Sequence, residues 1–192
     1  MSLQGIRIAY ALCGSHCTLG RSITELLALK ELGAQIIPIV SEAVDRTDTR
    51  FGRAADIVSE IEKIAGREVI RSIRDAEPLG PRTPADLMII APCTGNTLSK
   101  IASGITDTTV TMAAKAHLRQ DKPLIIALAT NDAMSQSLKS IATLLTRKSV
   151  YFLPLRQDDP VLKPYSLVAD FERIKEAAEA ALTGRQLRPL FL

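Results

Sequence analysis

The chain has 192 residues, with 24 Lys and Arg against 21 Asp and Glu, a formal charge of +3 and a hydrophobic fraction of 46%. That length suits one domain, residues 1–192, with its own core, and the near balance of interspersed charges argues against nucleic acid or an anionic membrane as the main partner. Three cysteines and two histidines, at spacings that match neither a zinc site nor a redox CxxC, argue against a metal and for the reduced thiols of a cytoplasmic protein.

Strand-like and helix-like segments alternate along the chain. Ile6 to Leu12 reads as a buried strand, followed by a turn at Cys13, Gly14 and Ser15. Leu19 to Leu32 carries Ile23, Leu26 and Leu27 on one helical face, and Gly33 closes it. Gln35 to Val40 is the second strand, closed by Ser41, and Glu42 to Gly52 reads as a polar loop. Ile57, Ile61 and Ile64 mark a second helix that stops at Gly66. Residues 77–84 hold three prolines and a glycine and predict a stiff connection.

Leu87 to Ala91 is fully apolar, the pattern of a parallel strand covered on both faces. Helical signals follow at Leu98 to Ser103 and Thr108 to Leu118. Leu124 to Ala129 is another buried strand, Gln136 to Leu145 another helix, and Tyr151 to Leu155 the last strand. Gln157 to Pro164 reads as a loop, before a closing amphipathic helix through Phe171, Ile174, Ala178 and Leu182. No apolar run has the length of a membrane span. Five strands in this rhythm predict an α/β fold: a flavodoxin-like (Rossmann-type) doubly wound parallel sheet in three layers.

In such sheets ligands bind beyond the carboxyl ends of the strands. Four segments fall there, Cys13–Leu19, Ser41–Thr47, Ala91–Thr97 and Ala129–Met134, and all are rich in small or hydroxylated residues. The first is not a GxGxxG. Gly14 permits close backbone approach and Ser15 can reach a phosphate at a helix N-terminus; the plain alternative is a βα turn with Thr18 or Ser15 as N-cap. The third, Pro92-Cys-Thr-Gly-Asn-Thr97, offers more polar groups than capping requires, which favours an anion or the polar edge of a ring system.

Ala91 to Asp107 resembles the Pro-Ala-Ser-Ala-Asn-Thr signature of the homo-oligomeric flavin-containing cysteine decarboxylase superfamily. Gly14-Ser15 is similar to its first turn and Ser41 to its serine after the second strand. Within that superfamily Ala9–Thr18, Glu77–Pro81, Ala91–Thr97 and Ala129–Met134 resemble the family of dipicolinate synthase B subunits. The resemblance implies FMN, or phosphate or sulfate in its place, held by Gly14, Ser15, Ser41, Cys93, Thr94, Gly95, Asn96 and Thr97. It places Asn131 and Met134 on the substrate side. It further implies a dehydrogenase-like A subunit carrying NADP, a small dicarboxylate substrate, trimers or assemblies of trimers, and oxidoreductase work in the mother cell of a sporulating bacterium.

Two departures from the superfamily matter. Between Ser41 and Leu87 there is no histidine, where the decarboxylases carry a catalytic one, and Leu128–Met134 keeps only Asn131 and Met134 of a Pro-x-Met-Asn-x-x-Met motif. A self-sufficient FMN-dependent decarboxylase or flavin prenyltransferase, and a scaffold that has lost flavin, are therefore the rival readings. No catalytic residue is assigned beyond two candidates, His16 and Asn131. His16 polarises a ligand edge or is an exposed turn residue, and Asn131 binds substrate or forms an Asx-turn. Cys93 lines a ring or packs in the core, Cys13 packs at the strand end and Cys17 in its helix's first turn. His117 is structural, near a helix C-terminus. Arg46, Arg50 and Arg53 grip a dicarboxylate or pair locally with Asp45 and Asp48, the second being the stronger reading.

Overall fold

The computed structural model describes residues 2–80 and 84–192; part of the proline-rich connection, residues 81–83, lies outside them. Unbroken apolar runs make the centre of a sheet, because a strand buried on both faces has no solvent side to alternate toward. Thus β1 (Arg7–Leu12), β2 (Gln35–Val40), β3 (Leu87–Cys93), β4 (Leu124–Thr130) and β5 (Val150–Phe152) pair in parallel in the order β2-β1-β3-β4-β5. Every residue of β3 is buried. This is the flavodoxin-like order, and the switch between β1 and β3 opens a crevice at the carboxyl ends.

Helices cover both faces and make the three layers. On one face α1 (His16–Glu31) packs beside α8 (Ile174–Leu182). On the other lie α4 (Ile73–Ala76), α5 (Gly95–Ala102), α6 (Thr109–Leu118) and α7 (Ser137–Leu145). The short α2 (Glu42–Arg46) and α3 (Ala54–Ala65) sit by β2. Among the described residues no helix is long and apolar enough to cross a membrane.

A polar thread crosses the core. The Tyr10 hydroxyl, fully buried in β1, donates to the Ser22 carbonyl of α1 at 2.9 Å, and the Ser22 hydroxyl donates to the Ala91 carbonyl of β3. Burial raises the Tyr10 pKa, so the phenol stays neutral and ties strand to helix without an interior charge. At the opposite end of the sheet Arg7 and Asp86 pair at 2.9 Å, and the guanidinium's hydrogen bond lowers the Asp86 pKa.

Several local expectations are corrected. The polar loop after β2 begins with α2, because Ser41 caps it by accepting from the Val44 N–H. Helix α1 starts at His16 rather than Leu19, so half of the supposed first loop is helix. The buried stripe of α3 is Ala54, Val58, Ile61 and Ala65, with Ile57 and Ile64 on its flanks. Tyr151–Leu155 divides into β5 and the start of a further strand.

The largest difference is at residues 157–164. This segment belongs to an antiparallel hairpin, β6 (Leu155–Asp159) and β7 (Lys163–Ala169), whose second strand pairs with the last residues of β4, Ala129 opposite Val168 and Thr130 opposite Leu167. The exposed half of the hairpin mixes charged residues and prolines with Val161, Leu162 and Tyr165, shows no alternation, and so reads as loop. Its ladder comes from long-range pairing, which periodicity cannot register.

Candidate functional site

The hairpin rises over the carboxyl ends of β1, β3 and β4 and encloses a cleft of about 420 Å³. One wall is the β1–α1 turn, Gly14 and Ser15, continuing along α1 through Cys17, Thr18 and Arg21. The floor is the β3–α5 turn, Thr94 and Gly95, with Thr130 and Asn131 at the end of β4. The far wall is the hairpin, with Asp158, Lys163 and Ser166. The N-termini of α1 and α5 therefore open on one space, and each brings amides with no intrahelical partner and a positive dipole end.

Two glycines make the turns possible. A Cβ on Gly14 would lie 2.8 Å from the Cβ of Ala43, so the first turn packs directly against α2. A Cβ on Gly95 would lie 2.7 Å from Thr130 Oγ1 and 2.9 Å from both Asp132 Oδ1 and Ser137 Oγ. Those three groups form a cluster in which the Asp132 carboxylate accepts from the Thr130 hydroxyl and, at 3.0 Å, from the Ser137 hydroxyl. The cluster holds the end of β4 against the start of α5.

Ser15 occupies the N-cap position of α1 but makes no side-chain capping bond; its hydroxyl accepts from Thr18 Oγ1 at 3.1 Å. The plain capping alternative is therefore absent, and Ser15 faces the cleft. Thr94 does cap α5, accepting from the Thr97 N–H at 3.2 Å. His16 stands at the first position of α1 beside Gly14, and its Nδ1 is buried without a hydrogen-bond partner.

Of the expected ligand residues, Gly14, Ser15, Thr94, Gly95 and Asn131 meet in the cleft. The others do not line it. Ser41 is buried in its cap, Asn96 is exposed on α5, and Thr97 is buried against the first turn. Met134 packs against the core while its N–H donates to the Tyr165 carbonyl at 3.0 Å. Cys93 lies beneath the floor, its pKa raised by burial and then by its neighbour Cys13, whose own thiol burial pushes up to about 11.

Cys17, expected to pack in its helix, is instead exposed on the cleft wall, because the earlier start of α1 rotates it outward. His117 is buried and its Nε2 bonds the Pro123 carbonyl at 2.8 Å, a structural role. Arg46 and Arg53 pair with Asp45 and Asp56, away from the cleft, and Arg50 stacks on Phe51. Sequence reading missed Arg21, Asp158, Lys163 and Ser166. For the hairpin the available signal was Asp158-Asp-Pro160, a turn sequence between two apolar stretches. For Arg21 it was the i, i+4 spacing from Cys17.

Residues 1–178 match the model of the family described as Flavoprotein. The chain is 43% identical to the B subunit of dipicolinate synthase from Bacillus subtilis, over 100% of this chain and 96% of that protein. It is 30% identical to the flavin prenyltransferase UbiX of Archaeoglobus fulgidus, over 78% of this chain and 81% of that one. A crystal structure of the dipicolinate synthase B subunit from Bacillus halodurans superposes with a TM-score of 0.92 at 42% identity, covering 100% of this chain and 98% of that one. The chain belongs to the Flavoprotein family.

Proposed function

We propose that this member of the Flavoprotein family works as the B-type subunit of a dipicolinate synthase. In this reading it acts with a dehydrogenase-like A subunit to oxidise dihydrodipicolinate to dipicolinate in the mother-cell cytoplasm during sporulation. The observation that carries the reading is the end-to-end similarity to the Bacillus B subunits. The chain has no GxGxxG after β1, so NADP and hydride transfer belong to the partner.

The cleft suits FMN. Its volume lies within the roughly 300–1,000 Å³ of cofactor sites. Two helix N-termini open on the cleft, Gly14 and Gly95 let their turns pack closely against the groups behind them, and His16 Nδ1 is buried without a partner at the start of α1. FMN, when bound, supplies reversible electron transfer. Gly14, Ser15, Thr94 and Gly95 bind its phosphate and polar edge, while Cys93 and Thr97 hold the floor in shape from below. Ser41 fixes α2 behind the first turn, and Asn96 serves the rim, where trimers bring neighbouring copies to the site. Asn131 and Met134 set the substrate side, Asn131 directly and Met134 through the hairpin.

The test is reconstitution. Purified chain, a dipicolinate synthase A subunit, NADP and the dihydro precursor are mixed, and dipicolinate is followed by its ultraviolet absorbance. Production that requires both subunits is expected; no gain over the A subunit alone would overturn the reading. In parallel, FMN fluorescence should titrate saturably, at least tenfold more weakly with Gly95→Ala. A linear, unsaturable titration would remove the flavin from the proposal.

A further inference from the structure

Two cations stand on opposite walls of the cleft. Arg21 lies one turn beyond Cys17 on α1, on the face that lines the space, and its guanidinium sits over the Phe171 ring at 5.2 Å. It makes no salt bridge to any described residue; Glu25, one turn further on, feels its charge. Lys163 stands on the hairpin wall, bonded to Asp158 at 2.6 Å. The ammonium has three donors and Asp158 engages one of them. The Lys163 pKa is raised, first by its hydrogen bond to Asp158.

Asn131 lines the same cleft. Its Oδ1 accepts from the Ser166 hydroxyl at 3.4 Å, and Ser166 is itself buried, which leaves the N–H2 as the donor of this side chain. Leu167 and Val168 of β7, with Ala129 of β4, give this part of the cleft an apolar side.

We infer that Arg21 and Lys163 are the two-point grip for a small planar dicarboxylate, with Asn131 donating to an acceptor atom between the two carboxylates. The inference rests on the dipicolinate reading and deepens it by assigning the substrate contacts. Arg21 can bind one carboxylate bidentately, because its fork is held open by stacking rather than closed by an acid. Lys163 meets the other as a point charge. A pyridine-2,6-dicarboxylate carries a ring nitrogen between two carboxylates, and the cleft offers two cations and one amide to those three groups. Asp158 balances the Lys163 charge while the cleft is open and repels an anion that Lys163 alone would attract. A monoanion therefore gains little, and a dianion gains enough only by engaging Arg21 and Lys163 together.

Calorimetry with dipicolinate and with picolinate, which has one carboxylate, tests this on the wild type, Arg21→Ala and Lys163→Ala. Both side chains are exposed, so the variants should fold. Each substitution is expected to weaken dipicolinate at least tenfold, whereas picolinate responds to only one of them. Dipicolinate should also protect Cys17 from iodoacetamide in the wild type and in neither variant at the same concentration. Unchanged dipicolinate affinity in both variants, or no dipicolinate binding by the wild type, would overturn the grip. Reconstituted activity is read separately. If wild type supports dipicolinate formation while the variants bind as it does, only the grip fails; if wild type supports none, the reading of the chain as a synthase subunit fails.

Discussion

The two walls of the cleft are built in opposite ways. The strand ends that carry Gly14 and Thr94 issue from a parallel sheet in which β1 and β3 are buried on both faces and cross-linked through Tyr10, Ser22 and Ala91. The hairpin wall pairs with that sheet at Ala129 and Thr130, at the end of β4, and its tip leaves Val161 86% and Leu162 81% exposed. A phosphate-type ligand requires fixed amides, and a sheet interior supplies that fixity. A substrate that enters and leaves requires a wall whose own packing does not depend on being closed. In the proposed reading the chain separates these demands into two regions.

The comparison breaks if substitutions in the two regions cost alike. Ile89→Ala, in the middle of β3 at 0% exposure, should cost about 2–5 kcal/mol in chemical denaturation, from lost burial plus the cavity left behind. A loss below about 1 kcal/mol would mean that the sheet interior repacks freely and is no rigid base.

Thiol chemistry sharpens the contrast. Cys17 on the cleft wall should react with iodoacetamide at least about 100-fold faster than Cys13 or Cys93, since the thiolate is the nucleophile and burial suppresses it. The Cys13 pKa, raised from 9.0 to about 11, also sets a sign for alkali. Below pH 9 both folded and unfolded chains keep the proton. As pH rises from there toward 11 the unfolded chain releases it first, so stability is lost across that window. Mass-mapped labelling and denaturation at pH 8, 9.5 and 11 check both points; equal labelling of the three thiols would contradict a closed floor.

At the small end, Leu162→Ser on the hairpin tip should change stability by no more than about 0.5 kcal/mol, because the side chain is already in water. A larger loss by thermal unfolding would show that the tip is packed in the assembled protein.

The same contrast explains what could be read in advance. Leu87–Ala91 and Leu124–Ala129 announce buried parallel strands by composition alone, and the strand–helix rhythm predicts the flavodoxin-like sheet; Gly14, Ser15, Thr94 and Gly95 come with the resemblance to the superfamily, and all four line the cleft. The hairpin is defined by pairing between distant residues, Ala129 with Val168 and Leu155 with Ala169, and its exposed side chains carry no periodic signal. Lys163 and Asp158 were hidden with it. Arg21 was hidden for another reason: moving the start of α1 by one turn decides which residues face the cleft, and helix boundaries are the least legible feature of a sequence.

The far wall and the Asn131 amide share one attachment. Asn131 directly follows the two β4 residues that pair with β7; Ser166 of β7 bonds its side chain, and Tyr165 of β7 accepts from the Met134 N–H just beyond it. Wall and amide thus hang from one strand end, and a substitution that loosens the β4–β7 pairing disturbs both together.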